Sequence, residues 1–112
     1  MGDRAMAEIK TEDGSLYVYT HWGGRDFPDD VKRAILQARS RWDDDPYAVR
    51  IIVDQLIKEG RDQETGFGLM LKPCAEDEYN HNEPSVIIDL TTKKLSIIRN
   101  GAHDVIPFTQ IT

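Results

Sequence analysis

The chain has one cysteine, Cys74, in 112 residues, so no internal disulfide framework staples it. A lone cysteine is more often inert than nucleophilic. No apolar run approaches the ~20 residues needed to span a bilayer, and no basic-then-apolar signal sequence opens the chain. These absences argue against a membrane partner and predict a cytoplasmic protein. The three histidines, His21, His81 and His103, stand far apart, without His-x-x-x-His, cysteine-pair or calcium-loop spacing. No metal is expected. Phosphate-loop and dinucleotide fingerprints are also missing, because Gly66-x-Gly68 precedes a strand instead of following one into a helix, and no cofactor is expected. Basic residues are few: fourteen Lys and Arg face twenty Asp and Glu, a net charge of −6. That balance argues against a face for duplex nucleic acid, which must neutralise phosphates. It leaves room for a small anionic ligand held by local arginines, and for a protein that occupies a partner's basic surface.

What is present reads as one domain with a single modest core. Met1 to Met6 lacks periodicity and reads as a leader, vector-derived or frayed, so the domain is expected over 7–112. Ala7 to Thr20 predicts a β-hairpin turning on Asp13-Gly14, with Ile9 opposite Val18 and Thr11 opposite Leu16. Its aliphatic face (Ile9, Leu16, Val18) turns to the core and its aromatic face (Tyr17, Tyr19, His21) away. After Gly23-Gly24, Asp26 can cap a helix whose buried stripe is Val31, Ala34, Ile35, Ala38 and Trp42. Asp45-Pro46 opens a second helix with a wide apolar face, Ala48, Val49, Ile52, Val53, Leu56 and Ile57, and Gly60 stops it. Arg50, Asp54 and Lys58, four apart, are expected to pair on its solvent side.

Phe67 to Leu71 reads as a third strand, 73–84 as a polar acidic loop, and Val86–Leu90 with Leu95–Ile98 as a second hairpin. Val105 to Ile111 is a last strand, which Pro107 assigns to a sheet edge. The order β-β-α-α-β-β-β-β predicts an α+β fold, an antiparallel sheet covered on one face by two helices.

Three segments share an unusual density of aromatic, arginine and glycine residues: 17–25, 39–42 and 64–68. If they meet, Tyr17, Tyr19, Trp22 and Trp42 offer stacking faces, Arg25, Arg39 and Arg41 offer planar donors to phosphate or carboxylate, and Phe67 belongs to the same candidate site. Glu64 and Thr65 would read a base edge or ribose hydroxyl, with His21 beside them. That combination holds a nucleotide without a named motif. The bland account is a pair of core tryptophans and solvated arginines at a helix end. A His21–Glu64 or His21–Asp43 acid–base pair would instead make a small hydrolase, but the residue types favour a non-enzymatic binder.

Tyr-Thr-His-Trp-Gly-Gly (19–24), Arg-Trp-Asp-Asp (41–44) and Glu-Thr-Gly-Phe-Gly (64–68) resemble a family of short proteins encoded by phages and prophages, over roughly residues 8–98. The resemblance implies a viral protein acting in the host cytoplasm against host defence. It would sequester a nucleotide signal, or block a host protein through an acidic face or sheet edge. A homodimer with the site at its interface fits the open sheet edge.

Overall fold

A computed structural model describes residues 5–20, 26–72, 85–99 and 101–112. Two antiparallel strands open the chain, β1 (Ala5–Thr11) and β2 (Gly14–Thr20). β1 begins inside the expected leader, and Ala5 and Met6 are buried, so the fold reaches back at least to Ala5. The hairpin register is shifted by two residues from the expected one: Ile9 faces Leu16, Ala7 faces Val18 and Glu8 faces Tyr17. The cause lies in Thr11. Its hydroxyl donates to the Gly14 carbonyl (2.8 Å) and accepts from the Asp13 amide (3.2 Å), closing the turn over Glu12-Asp13. The positive φ, 132°, belongs to Gly14. A two-residue shift preserves the faces, so the aliphatic side still meets the core.

Helix α1 (Phe27–Gln37) starts where the Asp26 carbonyl accepts the amides of Asp29 and Asp30, both at 3.1 Å. The Asp26 side chain makes no capping bond. Val31, Ala34, Ile35 and Ala38 are buried as the spacing predicts, but the helix stops at Gln37 and Arg39–Arg41 form a 3₁₀ turn. Helix α2 (Asp45–Ile57) buries Ala48, Ile52 and Leu56, while Asp54 pairs with Arg61 (2.7 Å) instead of with its helix neighbours. Strands β3 (Phe67–Met70), β4 (Val86–Asp89), β5 (Lys94–Arg99) and β6 (Ala102–Pro107) follow. A 3₁₀ turn, Phe108–Gln110, replaces the end of the expected last strand.

The six strands form one sheet in the order β3-β2-β1-β4-β5-β6. The sheet is mixed, which corrects the antiparallel expectation: β1 pairs with β4 in parallel, Ala7 beside Val86 and Ile9 beside Ile88. Parallel neighbours need a long crossover, and here β2, both helices and β3 lie between β1 and β4 in the chain. Ala5, Ala7, Ile9, Val18, Val86, Ile88, Leu95 and Ile97 share one face and cluster with Val31, Ile35, Ile52 and Leu56 of the helices. Phe108, fully buried, joins that core from the C-terminal end. β6 is an edge strand, with Pro107 at its last position, as expected. Among the described residues no helix is long and apolar enough to cross a membrane.

Candidate functional site

A cleft of about 460 Å³ opens between the first half of α1, the C-terminal end of α2, and the adjoining ends of β2 and β3. Phe27, Ala34, Leu56 and Phe67 supply its apolar walls, with Thr20 between them. Asp30, Arg33, Gln55, Lys58, Glu59 and Gln63 make up the polar part of the lining. The walls follow from local structure. The pairing of Thr20 with Phe67 sets the ring on the helix side of the sheet. Gly60, just past α2, lets that ring close in: a Cβ there would stand 2.6 Å from Phe67 Cε2. A side chain at position 60 would therefore displace the ring, because real Cβ contacts are longer.

The charges around this cleft are mixed. Arg33 and Asp30 form an ion pair one helical turn apart. Burial raises the Asp30 carboxyl above its ordinary pKa, Arg33 opposes that rise, and the negative charges of Asp26, Glu59 and Asp29 add to it. Along the lining itself two carboxylates, Asp30 and Glu59, balance two cations, Arg33 and Lys58, with Asp26 and Asp29 close enough to act on Asp30. A highly charged anion finds weak support in such a field, whereas an uncharged ring with polar edges finds apolar walls and amide partners.

The sequence-predicted residues are dispersed. Tyr17 and Tyr19 stand on the sheet face opposite the helices, in register with Glu8 and Met6. Burial raises the Tyr17 hydroxyl pKa, and the nearby Glu8 carboxylate raises it further. Arg39, Arg41 and Trp42 lie where α1 passes into α2, at the far end of the helix pair from the cleft. There Trp42 Nε1 donates to the Ile35 carbonyl (2.8 Å) and its ring lies 5.1 Å from that of Phe108. The Arg39 guanidinium stacks 5.6 Å from the Trp42 ring, and that of Arg41 lies 5.3 Å from the Tyr47 ring. These contacts give the bland account of Arg39, Arg41 and Trp42: a half-buried core aromatic with cations lying on aromatic faces. Glu64 and Thr65 are exposed in the turn before β3. Of the described members, Phe67 alone lines the cleft. His21, Trp22 and Arg25, and the acidic loop 73–84, fall outside the described residues. The expected meeting of the three segments therefore fails for 39–42; segments 17–20 and 67–68 do meet in the β2–β3 ladder, Tyr19 opposite Gly68 and Thr20 opposite Phe67, but both tyrosines face away from the cleft.

Compared with protein-family models, curated proteins and solved structures, the chain matches none. The site therefore has to be read from its own residues. Sequence reasoning missed Asp30, Arg33, Gln55, Lys58, Glu59 and Gln63, which look like ordinary helix-surface residues. Gly60 and Phe67 carried the available signal, a glycine placed where a ring packs. A second, more open cleft lies among Glu12, Asp43, Asp44, Asp45, Pro46, Leu90, Thr91 and Lys93, with Lys93 Nζ 3.4 Å from Asp43. Among the described residues no group of three or more His, Cys, Asp or Glu is arranged to hold a metal ion.

Proposed function

We propose that this protein is a non-enzymatic binder of a small planar ligand, a nucleobase or nucleoside, in the cleft between α1, α2 and β3. The observation that carries the reading is the cleft itself. Its ~460 Å³ falls in the range of small-molecule sites, which are apolar with a few convergent polar groups. Phe27 and Phe67 supply aromatic walls, Gln55 and Gln63 supply amides that match base edges, and Arg33 and Lys58 can take a single phosphate. The balanced charge of the lining, two carboxylates against two cations, weighs against polyphosphates. The resemblance to phage-encoded proteins supports a purpose, sequestration of a host signal from its receptor.

The test is a thermal-shift screen against nucleosides, mononucleotides, cyclic dinucleotides and ADP-ribose. At a ligand concentration 100 times Kd, binding adds about 2.7 kcal/mol, which raises Tm by roughly 10 °C in a domain of this size. Gly60→Ala and Ala34→Leu, which push atoms into the cleft, should abolish the shift, and Arg41→Ala should leave it intact. A flat screen, or a shift that survives both cleft substitutions, sinks the proposal.

A further inference from the structure

The two edges of the sheet differ in chemistry. β6 carries the devices that natural edge strands use against unwanted pairing, with His103, Asp104 and Pro107 along it. β3 and the residue after it read Phe67-Gly68-Leu69-Met70-Leu71, with no charge and no proline. β3 pairs with β2 alone among the described residues, and Leu69 and Leu71 are 52% and 84% exposed. A bare apolar edge of this kind is an aggregation hazard unless a strand covers it.

We propose that β3 pairs with β3 of a second copy, antiparallel about a two-fold axis at Leu69, joining two six-stranded sheets into one. Side chains that face each other across a strand pair lie on the same side of the sheet. An axis at Leu69 therefore sets Leu69 against the partner's Leu69, and Phe67 against the partner's Leu71, all on the helix side. Both exposed leucines gain apolar cover. On the other side Gly68 meets the partner's Met70. The space above Gly68 suits that neighbour, since a Cβ built there meets nothing within 4 Å. Moving the axis to Gly68 sets Leu71 against Thr65; moving it to Met70 still pairs Leu69 with the partner's Leu71 but leaves Phe67 past the end of the apolar stretch and carries Lys72 away from the partner's Glu64. The Leu69 register also brings Lys72 beyond one end of the strand towards the exposed Glu64 of the other copy, twice by symmetry. A second copy thus complements this edge in shape, polarity and charge. An isologous contact of this kind closes at two copies. Because Phe67 belongs to both the strand and the cleft, the dimer axis would set two clefts near one interface.

Sedimentation equilibrium across a wide concentration range tests the dimer. The wild-type chain should reach a dimer and go no further, and Leu69→Lys should raise the dissociation constant by ~100-fold or more, since like charges set opposite one another across an interface cost several kcal/mol. Val105→Lys, on the other edge, should leave the dimer unchanged. Oxidative cross-linking tests the register. With Cys74→Ser in both variants, Leu69→Cys should form a disulfide between copies. Leu71→Cys should not, because it and its copy would stand about 13 Å apart along the strands. A monomeric wild-type chain, larger open-ended assemblies, a dimer that survives Leu69→Lys but not Val105→Lys, or equal cross-linking at both positions would each overturn the proposal. Cross-linking also decides the matter if Leu69→Lys fails to fold.

Discussion

Phe108→Ala tests whether the C-terminal 3₁₀ turn belongs to the core. Phe108 is fully buried, its amide donates to the Lys93 carbonyl (2.9 Å), and its ring leans on Trp42 at 5.1 Å and 52°. Truncating a buried phenylalanine to alanine removes its transfer free energy and leaves a cavity, together ~3–5 kcal/mol. Of that, ~0.5–1.5 kcal/mol belongs to the ring pair with Trp42. Against a typical total of ~5–15 kcal/mol, the variant should sit close to its unfolding threshold, with Tm lowered by ~12–20 °C. Urea melts followed by tryptophan fluorescence measure it, and the m value should not change if unfolding remains two-state. Phe108→Leu keeps most of the volume and should lose less than ~1.5 kcal/mol. A double-mutant cycle with Trp42→Leu should return a coupling near the ring-pair value. A loss below ~1 kcal/mol in Phe108→Ala would falsify the claim that this turn completes the core, because a ring with no solvent exposure cannot be removed so cheaply.

Two further outcomes follow from single residues. Burial alone would raise the Asp89 carboxyl pKa, but bonds from the Thr91 hydroxyl (2.5 Å) and from the amides of Thr92 (3.2 Å) and Thr91 (2.9 Å) outweigh it and lower the value. The stability gained is present above the ordinary carboxylate pKa and lost as pH falls through the lowered one. Asp89→Asn should therefore reduce Tm at neutral pH and converge with wild type in acid. Gly14→Ala should lose ~1–3 kcal/mol in denaturant melts through backbone strain alone, since φ is 132° and the added Cβ meets no neighbour.

Much of the architecture was legible because it is written in local periodicity. Val31, Ala34, Ile35 and Ala38 mark α1, Ala48, Ile52 and Leu56 mark α2, and Pro107 places β6 at an edge. The α+β class follows from the order of those elements. What the sequence hid was set at long range or by single side chains. No local pattern tells Ala7 that its parallel neighbour is Val86. The Thr11 hydroxyl moved the hairpin register, and Trp42 left the helix to bond the Ile35 carbonyl. The site was less legible still. Residue type drew attention to Arg39, Arg41 and Trp42, whose contacts with one another and with Tyr47 and Phe108 account for them. The cleft was built from residues whose identities look ordinary until Gly60 and Phe67 are seen to touch.

The central position of β1 has a consequence for how this protein is made. Its two flanks are β2, a few residues away in the chain, and β4, about eighty residues later. As the chain leaves the ribosome, β1 and β2 can close at once, and β3 can add to them. The other side of β1 stays unpaired until Val86–Asp89 emerges. For that interval the nascent sheet exposes two edges, one of them the future middle of the protein, while the late β1–β4 ladder raises contact order and slows closure. A shortened chain ending before β4 would keep that vulnerable edge permanently, so the last quarter of the sequence shields the first strand as much as it extends the sheet.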